Sequence, residues 1–177
     1  MPTVEILHTT RLTLRPFVPE DRVAMLALQG DAQVMRYYGN GEALSPAQVE
    51  IVLDAHIHCR EKSYWAWAVA QRENPSPPHC FGQITAVCVE WNSEQWIELC
   101  WLLLPGRWRQ GYATEGVKAV LQHGMTELGW RKVMAGADVR NVPSLRVMAK
   151  NGMVFDREEK DSQGRTRRIH TLVKQNF

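Results

Sequence analysis

The sequence predicts an α/β fold on one mixed sheet: an antiparallel meander in the N-terminal half, joined to a parallel strand pair with flanking helices. Two observations carry this. Residues 64–71 (YWAWAVAQ), 81–91 and 95–104 are rich in aromatic and β-branched side chains and follow one another through short connections, as antiparallel neighbours do. After them, a strand at 95–104, a helical pattern at 114–128 and a strand at 133–138 form a strand, helix, strand unit, whose strands must run parallel.

The elements follow in order. Residues 10–15 alternate, with Leu12 and Leu14 on one face and Pro16 closing the strand. Pro19-Glu20-Asp21 opens a helix that carries Val23, Leu26 and Ala27 at helical spacing until Gly30. A short helical turn covers residues 32–38 before Gly39-Asn40-Gly41. Ser45-Pro46-Ala47-Gln48 is a capping box with proline at the first helical position, and Val49, Val52, Leu53, His56 and Ile57 form the stripe behind it. Asn74-Pro75-Ser76-Pro77-Pro78 and Asn92-Ser93-Glu94 separate the three meander strands. The helix at 114–128 presents Val117, Val120, Leu121, Gly124 and Leu128 on one face. A second short helix covers 143–150 and ends at Asn151-Gly152; strands 153–159 and 166–174 then form a hairpin around Ser162-Gln163-Gly164.

The chain has 177 residues, 45% of them hydrophobic and 23% charged, which fits a single domain spanning 1–177 with a core that needs no staple. Cys59, Cys80, Cys88 and Cys100 lie too far apart for a Cys-x-x-Cys pair, so reduced, mostly buried thiols are expected. No apolar run approaches a membrane span or a signal peptide, and a cytoplasmic protein without membrane partners is expected. The net charge of +2 argues against a nucleic-acid coat. Its distribution is uneven: residues 105–177 hold 14 Lys and Arg against 7 Asp and Glu, whereas residues 1–104 hold 7 against 12. A polyanion would suit the C-terminal part and a cation the N-terminal part, and solvated helix faces account for the same numbers. His56 and His58 are two apart on a helix and share no face, so no metal site is assigned.

Residues 104–116 connect a strong strand to a strong helix through glycines and cations, a place where unpartnered backbone N–H groups at the positive end of a helix can hold phosphate. Gly106 and Gly111 have Walker A spacing, but Tyr112 and Ala113 stand where that motif needs Lys and Ser or Thr, and a dinucleotide fingerprint lacks its first glycine. Structural turn and anion site both remain open from the loop alone.

The segment resembles the phosphate loop of the GNAT superfamily of acyl-CoA-dependent N-acyltransferases, and Trp108-Arg109-Gln110-Gly111-Tyr112-Ala113-Thr114-Glu115 is similar to the branch of the RimJ and RimL ribosomal-protein acetyltransferases. Three further blocks resemble that branch in the same order: Thr10-Arg11-Leu12-Thr13-Leu14-Arg15-Pro16, Ile97-Glu98-Leu99-Cys100-Trp101-Leu102, and the run from Asn141-Val142-Pro143-Ser144 through Lys150-Asn151-Gly152-Met153.

The resemblance implies a GNAT-like fold in which strands 95–104 and 133–138 splay apart to admit the pantetheine arm. Backbone groups of Leu102, Leu103 and Leu104 are then expected to pair with the pantetheine amides. Arg109, Gln110, Gly111, Tyr112, Ala113 and Thr114 would cradle the pyrophosphate of acetyl-CoA. Asn141 would reach the pantetheine, with Lys150 or Arg146 near the phosphates or simply solvated; Tyr112 and Trp108 either pack or stack on the ligand. Glu98, a carboxylate in an otherwise apolar strand, is the expected base acting through water, with an exposed-face Glu as the alternative. Ser144 is the expected acid because Met148 stands where many relatives carry a tyrosine; a hydroxyl bonded to the helix backbone is its alternative.

An N-acetyltransferase acting on a primary amine, from a protein N-terminus or a small molecule, is thus expected, as a monomer or homodimer with no metal. A catalytically silent acyl-CoA-binding regulatory or interaction module would keep the loop and lose the proton-transfer groups. A nucleotide-binding protein lacks the P-loop lysine.

Overall fold

The computed structural model describes residues 4–58 and 63–174. They form one eight-stranded mixed sheet in the order β1-β2-β3-β4-β5-β6-β8-β7, with β1 Leu7–His8, β2 Leu12–Arg15, β3 Tyr64–Gln71, β4 Cys80–Trp91, β5 Glu94–Leu103, β6 Lys132–Asp138, β7 Val154–Lys160 and β8 Thr166–Val173. Every neighbouring pair is antiparallel except β5 with β6. The helices are α1 Arg22–Gln29, α2 Ala32–Met35, α3 Pro46–Ile57, α4 Tyr112–Thr126 and α5 Val142–Lys150.

The meander and the strand, helix, strand unit stand as expected. Trp91 pairs with Glu94, so β4 and β5 are joined by a two-residue turn in which Asn92 (φ 52°) and Ser93 (φ 58°) are both left-handed, the geometry that matches strand twist. At the N-terminus the sequence shows one strand and the structure two. Leu7 and His8 pair with Leu14 and Thr13 as a short edge strand too brief to carry a periodicity.

One face of the sheet packs on α4 and α5. Leu12, Leu14, Trp67 and Ile84 meet Val117 and Val120 there, all within 1% of complete burial. Gly124 allows close approach, since a Cβ at that position would lie 2.0 Å from the Trp130 ring. The opposite face packs on α1, α2 and α3 through Met25, Leu28, Met35, Val49 and Leu53. This corrects the stripe read for α1: Val23 is 68% exposed, and Met25 and Leu28, three apart, face the core. α3 begins as its capping box requires, with Ser45 Oγ accepting from Gln48 N and Gln48 Oε1 accepting from Ser45 N.

Cys80 and Cys100 are free thiols whose pKa burial pushes up to about 12, so they stay protonated. Cys88 is also free, and Cys59 lies outside the described residues. No helix among the described residues is long and apolar enough to cross a membrane.

A buried ion pair ties β2 to the start of α1: Arg15 Nη1 and Nη2 donate to the two carboxylate oxygens of Asp21 at 2.7 Å each, and Asp21 is fully buried. Removing one partner of such a pair leaves an uncompensated charge. Asp21→Ala should therefore lower the unfolding free energy by about 3–5 kcal/mol in urea titration, and a loss under about 1 kcal/mol would mean that Arg15 is solvated when its partner is gone.

Candidate functional site

The parallel pairing of β5 with β6 covers only Ile97 with Val133 and Glu98 with Met134; beyond these residues the strands part. The gap holds a small cavity walled by Leu99, Cys100, Trp101 and Leu102 of β5, Gly136 and Ala137 of β6, Ser144 and Met148 of α5, and Tyr38 after α2. It shares Val34, Tyr37, Trp101, Leu102, Asn141 and Ser144 with a larger cleft of about 870 Å³ that runs to the loop before α4.

Antiparallel pairing fixes which backbone groups face the gap. The N–H of Leu104 donates to Phe81 O at 2.9 Å, so Leu104 points its backbone at β4. Residues of an antiparallel strand alternate in this respect, and the unbroken β4–β5 register makes Leu102 do the same. The expected roles of Leu102 and Leu104 are corrected accordingly: their N–H groups are spent inside the sheet, and it is Trp101 and Leu103 whose backbones face the gap. Leu103 O already accepts from Trp108 Nε1 at 2.7 Å, which anchors Trp108 beside the cleft.

The loop is shaped by two left-handed residues, Arg109 (φ 60°) and Gly111 (φ 81°), and Gly111 caps α4 with no side-chain bond to the first-turn N–H groups. Gly111, Tyr112, Ala113 and Thr114 all lie in the cleft wall, with Arg109 beside them. The cations Arg36, Arg107, Arg140, Arg146 and Lys150 also line the cleft, and among the described residues no carboxylate does. Uncapped N–H groups, the positive end of a 15-residue helix and clustered cations make an anion site. Gln110 takes no place in that wall: its side chain donates to Gly106 O and its carbonyl accepts from Arg11.

A clamp holds the loop from behind. Glu115, in the first turn of α4, accepts from Thr9 Oγ1 at 2.6 Å, from Arg11 N at 2.9 Å and from Arg11 Nε at 2.7 Å, while Arg11 Nη1 donates to Gln110 O at 2.9 Å. Burial alone would raise the Glu115 pKa, but the bonds from Thr9 and Arg11 together with the Arg11 charge hold it below the usual Glu value. Tyr112 packs: its ring lies 4.5 Å from the Arg11 guanidinium and 5.3 Å from the Phe81 ring.

At α5, Asn141 Oδ1 accepts from Ser144 N at 3.4 Å, so Asn141 caps the helix while lining the cleft. The Ser144 hydroxyl makes no hydrogen bond among the described residues and opens to the cavity, so backbone capping is not its role. Glu98 stands at the last paired register, outside the cleft wall, and accepts from Arg167 Nη2 at 3.2 Å; both side chains are 28% exposed. Arg167 comes from β8, far away in sequence. Tyr37, Tyr38 and Arg140 also line the cavity or the cleft, and no local pattern in the sequence points to them. The hydrogen bonds from Arg140, which outweigh the effect of burial, lower the Asp138 pKa to about 2, fixing Arg140 at the cleft. Among the described residues no group of three or more His, Cys, Asp or Glu could hold a metal ion.

Residues 11–154 match the acetyltransferase (GNAT) domain family. An uncharacterized N-acetyltransferase of Bacillus subtilis, YoaA, is 29% identical over 149 residues, covering 83% of this chain and 81% of the relative. Among solved structures, a GNAT-family acetyltransferase from Bacillus anthracis superposes with a TM-score of 0.81 at 23% identity, covering 96% of this chain and 98% of its own. A spermidine N-acetyltransferase from Vibrio cholerae, solved with CoA and spermine, gives a TM-score of 0.77 at 16% identity, covering 93% and 96%. The two blocks that shape this cleft, the cation-lined loop before α4 and the capped start of α5, both fall inside the matched residues, and the chain belongs to the GNAT acetyltransferase family.

Proposed function

We propose that this chain transfers an acetyl group from acetyl-CoA to a primary amine, by direct attack within a ternary complex. The observation that carries the reading is the early end of the β5–β6 pairing, which leaves an open strand edge leading into a cation-lined loop. A strand edge bonds an extended amide-bearing arm as it would bond another strand. Trp101 and Leu103 are assigned that part. The N–H groups of residues 112–114, with Arg109 at their entrance, receive the pyrophosphate; Lys150 and Arg146 supply further positive charge, and Asn141 lies alongside the arm.

Attack by a neutral amine requires a proton acceptor, and departure of the thiol requires a donor or a stabilising dipole. Glu98 is assigned the first role, through water, since it stands where the two strands part. The Arg167 guanidinium orients its carboxylate through a hydrogen bond at 3.2 Å. Ser144 is assigned the second, because its hydroxyl is unengaged and faces the cavity. The acceptor is a small-molecule amine or a protein N-terminus, and the enzyme is assigned to the cytoplasm as one domain over 1–177. A second reading, a catalytically silent acyl-CoA-binding module, is favoured by one observation: the Glu98 carboxylate is already paired with Arg167.

Acetyl-CoA should raise the melting temperature, since a ligand of the folded state alone stabilises it by mass action. Gly111→Val should abolish that rise, because a β-branched residue cannot hold φ near 81° and the loop must reshape. A rise of wild-type size in the variant would remove the loop from the binding site. Glu98→Gln should reduce turnover about 10²–10⁴-fold while the acetyl-CoA rise persists, and Ser144→Ala should cost less, because a thiol of pKa about 8.5 needs modest help to leave. Release of free thiol across a panel of amines and N-terminal peptides reads both variants. Wild-type turnover in Glu98→Gln would place the base elsewhere, and no turnover on any amine despite acetyl-CoA binding would favour the silent module.

A further inference from the structure

The inner cavity at the gap carries one more polar group that the proposed chemistry does not use. Tyr38 lines it, together with Ser144, Met148, Cys100 and Gly136. Its hydroxyl makes no hydrogen bond among the described residues. Burial, with Cys100, Tyr64 and Glu98 nearby, raises its pKa well above the usual tyrosine value, so the phenol keeps its proton and has it to donate.

The position is built rather than incidental. Asp31 caps α2 through Gln33 N and Val34 N, and Tyr38 N donates to Met35 O at 2.9 Å, extending the turn to the cavity. The chain then reverses at once: Gly41 N donates to Tyr38 O at 2.8 Å, with Gly39 and Gly41 at positive φ. From the far side of the sheet, Arg165 donates to Gly39 O while Asp161 holds its guanidinium at 2.6 Å. Two elements distant in sequence thus hold the turn that carries Tyr38.

We propose that Tyr38 is a further catalytic residue, whose O–H donates a hydrogen bond to the thioester carbonyl oxygen of the acyl donor. The inference rests on the acetyl-CoA reading above. Ser144 and Tyr38 line the same small cavity, so a thioester whose sulfur meets Ser144 has its carbonyl oxygen in a space that Tyr38 also lines. Negative charge grows on that oxygen as the amine attacks, and a fixed donor in a confined cavity stabilises it more than it stabilises the ground state. The phenol keeps its proton throughout; the amine proton leaves toward Glu98, the carbon–sulfur bond breaks, and the electron pair departs with the thiolate. The side chain at Met148 has no hydroxyl to offer, and Tyr38 brings a phenol to the same cavity from another element.

The test is the ¹³C resonance of [1-¹³C]acetyl-CoA bound to the full chain, which moves downfield when the carbonyl accepts hydrogen bonds and needs no identified amine. Tyr38→Phe should move the bound resonance back toward the free position, leave the acetyl-CoA rise in melting temperature in place, and lower turnover on any amine accepted by about 10²-fold. Should Tyr38→Phe fail to fold, 3-fluorotyrosine at position 38, a stronger donor of nearly the same size, should move the resonance further downfield. A wild-type enzyme that binds acetyl-CoA, with the resonance unchanged in either variant, overturns the role of Tyr38 and leaves the acetyl-CoA reading intact. A wild type that shows neither melting shift nor bound resonance overturns both.

Discussion

β5 and β6 run side by side only at Ile97–Val133 and Glu98–Met134, and what holds them apart afterwards is the pairing each makes on its other side. β5 is bound to β4 along its full length, from Glu94 to Leu103, and β6 is bound to β8 from Lys132 to Asp138. Neither strand can turn its free edge toward the other without breaking a ladder already made. Backbone groups left unpaired in a partly enclosed gap are costly, so the gap is a standing demand for an extended, amide-bearing partner. The cavity, the cleft and the position of α5 all follow from that opening.

The anion loop depends on the opening as well, since β5 delivers the chain to it. Its shape is held from outside by the first strands. Thr9 and Arg11 bind Glu115, and Arg11 also binds the loop carbonyl of Gln110, so the N-terminal segment and α4 are fixed to each other. The clamp consumes the one carboxylate in the first turn of α4, and the charged side chains that line the cleft among the described residues are Arg and Lys. An acid placed near a positive helix end would otherwise compete with a bound phosphate; here its charge is turned toward Arg11.

Much of this was legible in the chain because the signals were local. The Ser45 capping box, the glycine at 111 and the strand, helix, strand order each need only a few neighbouring residues to be read. The α1 face is not decided by its own sequence, because Val23, Leu26 and Ala27 compete with Met25 and Leu28 for the same stripe, and only the packing of α1 on α3 and β4 decides between them. The parity of β5 follows from the two-residue turn at Asn92-Ser93, whereas a three-residue turn over 92–94 leaves the alternation undetermined. The Glu98–Arg167 pair and the placement of Tyr38 join segments far apart in sequence, and neither has a local signature. Tyr37-Tyr38 before Gly39 reads as a turn with aromatic residues until the sheet brings the gap beside it.

The central claim is that the free edge of β5 receives the acyl donor as a strand receives a partner, and amide hydrogen exchange resolved by residue tests it most directly. Acetyl-CoA should slow exchange at the N–H groups of Trp101 and Leu103, which face the gap, and leave those of Leu102 and Leu104 almost unchanged because they are already bonded to β4. Acetyl-CoA binding with no added protection at Trp101 or Leu103 would contradict the account.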